Sequence, residues 1–566
     1  MTFPRLLMTV GVLMAAVVDP LGAASCPAYA AGADQPADAQ AEIAKKRELA
    51  ASLAAQGKLS EAVVAAEEAF RLSGGRDGAA AYTLAALYYE LGRPADAEPL
   101  VDRIVASQPS ERSALLLKGL VKLDLGNFDE AEPALTEAAR GDASQPWARL
   151  GLAVLMRARG RADDAEAALA KLVADKPDWS LAHFQLGVTR LVKKQPEAAL
   201  TAFDAAERTG GGSPEIRLRT ARVLLAANEP ALAVDRARPL LRSSVAQAAR
   251  TLIVQAEMSR RAPDAAERVL REAVDADPND VTARLQFGRF LLERGRARDA
   301  LAQFDRAGRA RPDAPEPLAA KAEAHLALGE PAQAVAVAEQ AVAARPDDAS
   351  SYMLLGSVFE RLGRGTDALA TYRKFLDKSP NNLPVVSVTA ALLARESRTA
   401  EAMKLLLDAA KAHPRSPVPL MEVAQIAERS GNPQTAVTAY REALRRAPDD
   451  PGLLNNLAYL LATDPVTLAE AGSLAERAYQ KRPRSGSIAD TFGWILYRQR
   501  SLPRAVQLLE QAAAALPEQP VVQYHLGVVY AELGKRTEAR QALEQALKGP
   551  KFAERPEAQK LLDSLR

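Results

Sequence analysis

Prolines stand at positions 278, 312, 346, 380, 414 and 448, each 34 residues beyond the last, and then at 483 and 517. A fixed period of this length calls for one supersecondary unit stacked on copies of itself, because a single such unit cannot bury its apolar face alone. With Pro278 placed at repeat position 32, units begin at 43, 78, 112, 146, 180, 214, 247, 281, 315, 349, 383, 417, 452, 486 and 520. Position 20 played no part in setting that frame, yet it is alanine in every unit, Ala62, Ala199, Ala368, Ala505 and Ala539 among them. Position 8 is Gly or Ala in fourteen of the fifteen, as at Gly187, Gly356 and Gly493, with Val254 the exception and a one-residue shift to Ala458 in the unit at 452.

Two antiparallel helices that approach closely where both carry small side chains explain this pattern, and positions 8 and 20 are read as that contact. Apolar residues recur at positions 4, 7 and 11 and again at 20, 24 and 27, as with Leu355, Phe359, Ala368, Tyr372 and Phe375, so each helix presents one apolar face. Between the helices, position 15 is glycine in nine units, including Gly92, Gly295, Gly363 and Gly534. A left-handed residue there closes the first helix, a role that Asn228 can also fill. Two residues later Pro94, Pro196, Pro230, Pro263, Pro331 and Pro433 open the second helix, where a missing N–H costs nothing.

The stretch YMLLGSVFERLGRGTDALATYRKFLDKSP, 352–380, resembles a tetratricopeptide repeat, as does RLQFGRFLLERGRARDALAQFDRAGRARP, 284–312. The resemblance covers residues 43–553, departing from the family pattern in that Trp never occupies the fourth position. It implies an all-α, right-handed superhelical solenoid of about fifteen helical hairpins, whose first helices line a groove for peptides or protein segments. Residues 554–566 fit a polar capping helix.

Ahead of the array, MTFPRLLMTVGVLMAAVVDP has one basic residue, Arg5, and an apolar run from Leu6 to Val18 ended by Asp19-Pro20. That is the layout of a secretory signal peptide over 1–30, followed by a flexible mature N-terminus over 31–42. Ala28-Tyr29-Ala30 suits ordinary signal peptidase and leaves Ala31 first, in the periplasm. Ala23-Ala24-Ser25-Cys26 is a partial lipobox whose alternative outcome is lipidation of Cys26 and a lipid anchor in a bacterial envelope membrane, the one route to membrane attachment besides a retained leader.

The 73 basic and 71 acidic side chains leave a net charge of +2, and no nucleic-acid recognition motif occurs, so nucleic acid is set aside as a partner. The four histidines, His183, His325, His413 and His525, lie in four different units without metal-ligand spacing. No phosphate loop, HExxH, GxSxG or dinucleotide fingerprint is present, and helical hairpins occupy nearly all of the mature chain. The expectation is a non-enzymatic chain with no metal and no cofactor.

Function then falls to the groove. The positions that face it in the resembled family are apolar in the N-terminal half, with Tyr82, Tyr89, Leu116, Leu120, Leu123, Phe184 and Leu225 as candidates. These side chains also suit packing against the next repeat. Beyond about residue 250 the same positions turn polar, with Glu323, Glu360, Gln425, Glu428 and Asn456, and Arg361, Arg395, Arg429 and Arg498 form a row near Trp494 and Tyr497. The row is read as a candidate anionic-ligand site, the alternative being solvated arginines at helix C-termini. A clamp for a C-terminal carboxylate, as in chaperone-binding relatives, cannot be assembled. Residues 455–534 are similar to envelope tetratricopeptide proteins of exopolysaccharide and exosortase (PEP-CTERM) systems. The expected role is a protein-binding scaffold in secretion or surface-polymer assembly, with direct binding of an acidic polysaccharide or peptide as the alternative.

Overall fold

The computed structural model describes residues 37–140, 146–312, 314–483 and 485–565. The leader, Cys26 and the proposed cut before Ala31 lie outside the described residues. Among the described residues the regular structure is helical: fifteen successive hairpins from Ala37–Ala55 with Leu59–Leu72 to Pro520–Glu532 with Arg536–Lys548, then a last helix, Arg555–Ser564. The first helix begins at Ala37, ahead of the boundary expected at 43, because ADAQAE is built from good helix formers and extends the helix toward its N-terminus. The chain divides into two compact units, one ending at Glu272 and the other beginning at Ala273.

In both units the frame read from the prolines coincides with the hairpins. Each position-20 alanine from Ala62 to Ala539 is fully buried. Opposite it, the position-8 glycine is covered by the side chain at position 24: a Cβ on Gly187 would lie 2.6 Å from Cε1 of Phe203, and one on Gly493 would lie 2.8 Å from Cγ of Leu509 and 3.2 Å from the carbonyl of Ala505. The close approach expected between positions 8 and 20 is thus a three-way contact, in which glycine makes room for a large side chain one turn beyond the alanine.

The loops behave as their residues require. Gly92, Gly295, Gly363 and Gly534 have φ between 70° and 74°, and Asn228 takes 63°. Lys194, Arg261, Ser397 and Arg500 occupy the same loop position with φ of 58–65°, so the hairpin imposes the left-handed turn even where the sequence does not favour it. The second helices begin at Pro94, Pro196, Pro230, Pro263, Pro331 and Pro433. One hairpin is irregular: Pro230–Ala237 is short and gives way to a 3₁₀ turn over Arg238–Arg242, because Pro239 lacks the N–H needed to continue the helix.

In the first unit, apolar residues of successive hairpins form continuous cores, one around Leu117, Leu120 and Leu150 and another around Phe203 and Leu224. In the second, a core runs from Leu318 through Tyr372 and Tyr440 to Phe492. Arg555–Ser564 closes the array by burying Ala558 and Leu562 while the rest of its surface stays polar.

Candidate functional site

Six of the seven apolar groove candidates are core residues. Tyr82, Tyr89, Leu116, Leu120, Leu123 and Phe184 are all buried, the most exposed of them at 5%. Neighbouring first helices pack closely enough to cover these positions, so no apolar binding strip is formed by them. Leu225 is half-buried and borders an open cleft of about 700 Å³ beside the irregular hairpin, together with Arg222, Val245 and Thr251.

The arginine row is mostly engaged within the protein. Arg395 pairs with Glu360, whose carboxylate also accepts a 2.6 Å hydrogen bond from the hydroxyl of Tyr372. Arg361 lies 4.0 Å from Glu323. Arg498 donates from Nη1 to the carbonyl of Ala462, the residue that ends the helix Pro451–Leu461. Arg429 is exposed. Each of the three engaged arginines reaches back to the preceding repeat, a connection that spacing within one repeat does not reveal.

Trp494 is half-buried on the helix Gly486–Arg498 and stacks on His525 of the next first helix, ring centroids 4.1 Å apart. Tyr497, on the same helix, also stacks on Trp494, with ring centroids 5.0 Å apart. His525 is buried, and its Nδ1 lies 2.9 Å from Oδ1 of Asp490. The other three histidines also meet scaffold groups: His183 the carbonyl of Pro177, His325 the carboxylate of Glu330, and His413 the carbonyl of Asn381.

Alongside this aromatic joint lies a cleft of about 540 Å³ within the second unit. Three successive first helices supply its polar wall: Gln425 and Glu428 from Val418–Arg429, Asn455, Asn456 and Tyr459 from Pro451–Leu461, and Ser487, Asp490 and Thr491 from Gly486–Arg498. Leu516, Val521 and Val522 give it an apolar side. Tyr440, from a second helix, donates from its hydroxyl to Oε2 of Glu428 at 2.7 Å, and Asn456 reaches the same hydroxyl at 3.4 Å. Burial and the Glu428 hydrogen bond raise the Tyr440 phenol well above its usual range. Burial also raises the Tyr459 phenol, helped by the negative charges of Glu554, Asp490 and Glu428.

The site beside Trp494 therefore carries carboxylates, where an anionic-ligand site would carry free cations. Gln425, Glu428 and Asn456 were legible as groove residues, whereas Asp490, Ser487 and Tyr459 were missed. In their repeats they stand at positions 5, 2 and, after the one-residue shift, 9, so the repeat register carries their signal.

Tetratricopeptide repeat profiles match residues 53–120, 122–186, 218–281, 257–323, 319–382, 417–460 and 491–557, together more than half of the chain. The chain is a tetratricopeptide repeat protein. A TPR repeat-containing protein of Pseudomonas aeruginosa is 28% identical over 171 residues, which is 30% of this chain and 29% of that relative. This tetratricopeptide chain thus aligns with less than a third of that relative's length. A solved structure of the APC/C hetero-tetramer Cut9-Hcn1 aligns over 92% of this chain and 96% of its own at 13% identity and a TM-score of 0.31, too distant for any functional argument. The tetratricopeptide family is generally a non-catalytic scaffold for protein–protein interaction, and its members bind protein or peptide partners.

Proposed function

We propose that this tetratricopeptide protein is a non-enzymatic scaffold of the bacterial cell envelope, exported to the periplasm, where it holds segments of partner proteins in secretion or exopolysaccharide assembly. The observation that supports the reading most is the secretory layout of residues 1–30 directly ahead of an interaction array. The polymer-assembly part rests on the similarity of residues 455–534 to envelope proteins of such systems. Direct capture of an acidic polysaccharide finds less support, because three of the four arginines that would hold it already have partners in the protein.

Intact mass of the chain recovered from an envelope fraction tests export. A species starting at Ala31 is expected; a diacyl or triacyl mass on Cys26 would change the anchor, and a full-length species confined to the cytoplasm would overturn the reading. In vivo crosslinking followed by identification of partners tests the scaffold role, with envelope assembly proteins as the expected catch.

A further inference from the structure

We infer that the cleft bounded by Gln425, Glu428, Asn455, Tyr459 and Asp490 seats a lysine or arginine side chain of a bound protein segment. The inference rests on the protein-binding reading above and adds the chemistry of the partner.

The charged groups that line the cleft are both carboxylates, set among amides and hydroxyls. Glu428 and Asp490 line it from first helices two repeats apart, and no lysine or arginine is among its lining residues. Each carboxylate spends one oxygen internally, Oε2 of Glu428 on the Tyr440 hydroxyl and Oδ1 of Asp490 on His525, which fixes its orientation and leaves a second oxygen on each for a ligand. Between them stands Asn455, whose Oδ1 is fully buried and meets no donor, while its Nδ2 is turned to Asn456 at 3.4 Å. A buried acceptor without a donor is an unfavourable arrangement that a ligand N–H relieves.

The electrical environment has the same sign. The phenol of Tyr459 is held up by burial first, and then by the negative charges of Glu554 and of both cleft carboxylates. Tyr459 is nonetheless 47% exposed, so a ring face is open to an approaching ammonium or guanidinium group. Leu516, Val521 and Val522 supply an apolar surface for the methylene stem of such a side chain, whose charged end can then reach the carboxylates. A carboxylate or sulfate ligand would meet two like charges and an unsatisfied acceptor in the same space.

The experiment uses the full chain and a fluorescein-labelled peptide of alternating glycine and lysine, with an alternating glycine and glutamate peptide as its counterpart, read by anisotropy. The lysine peptide is expected to bind at least about fivefold more tightly than the glutamate peptide and to weaken as salt is raised. Gln425 is exposed, so both Gln425→Lys and Gln425→Glu are compatible with the fold, and circular dichroism checks this. Gln425→Lys should weaken the lysine peptide by about fivefold or more, and Gln425→Glu should strengthen it. Equal or tighter binding of the glutamate peptide, no binding of the lysine peptide, or indifference of both Gln425 variants would overturn the inference. Binding of spermidine in preference to the peptide would overturn it too, by assigning the seat to a free polyamine. Partners captured by crosslinking in the absence of any lysine-peptide affinity would leave the scaffold reading standing and this one refuted.

Discussion

The imidazole of His525 lies flat on the indole of Trp494, with ring planes 17° from parallel, while its Nδ1 contacts Asp490 on the helix that carries the tryptophan. Two successive repeats are thereby joined by one stacked pair and one polar contact. The indole also stacks on Tyr497 and meets Tyr524 at 6.3 Å. Trp494 therefore acts first as a joint between repeats.

Removing that joint should loosen the end of the array. Trp494→Ala is expected to cost about 1–3 kcal/mol, since it forfeits the ring contacts with His525, Tyr497 and Tyr524 and half-buried apolar area. Trp494→Phe should recover part of the loss. Urea denaturation measures the cost, and faster proteolysis near residues 520–565 should accompany it; unchanged stability in Trp494→Ala would show that the stack carries no load.

The fully buried position-20 alanines define where the helices of a hairpin can approach. Ala368→Leu should overpack the pair and destabilise by about 1–3 kcal/mol, whereas Ala370→Leu, the same change on an exposed position of the same helix, should fall within about 0.5 kcal/mol of the parent. Similar midpoints for the two variants in urea would contradict a close helix contact at position 20.

Ser397 is held at a φ of 61° in a loop where most repeats carry glycine. A left-handed conformation disfavours a residue with a Cβ, although glycine adds entropy to the unfolded chain. The balance predicts that Ser397→Gly stabilises by about 0.5–1 kcal/mol, seen as a higher denaturation midpoint with an unchanged slope. A lower midpoint would mean that the serine side chain contributes more than its backbone costs.

Glu90 ends the helix Gly78–Glu90 with Oε2 buried and without a hydrogen-bond partner among the described residues. Burial pushes its carboxyl from 4.5 up to about 7. Between those values the unfolded chain has released a proton that the folded chain still holds, so this group's contribution to stability falls as pH rises through the window and levels off above it. Glu90→Gln should remove that dependence. The variant is expected to be the more stable protein at pH 8, with the difference shrinking toward pH 4.5, when denaturation is followed at a series of pH values. A pH-independent difference would place the ionisation elsewhere.

Much of the fold is legible in the sequence because its determinants are local. A 34-residue period, an alanine at position 20, a left-handed loop residue at position 15 and a proline opening the second helix each act within a single hairpin, through helix periodicity and backbone sterics. Even Lys194 and Arg500, which break the glycine rule, obey the turn, because the packing of the two helices outweighs the backbone penalty. The site was legible only in part. Which groove positions reach solvent depends on how closely one repeat stacks on the next: Tyr82 and Leu120 are covered, whereas Tyr459 is open. Which charges are free depends on partners in the preceding repeat, as Arg395 finds Glu360 and Arg498 finds the carbonyl of Ala462. The period determines that repeats stack, but the stacking geometry is a collective result of all the side chains between them. Tertiary structure alone therefore brought Glu428 and Asp490 to one cleft and gave it a charge opposite to the one suggested by the arginine row.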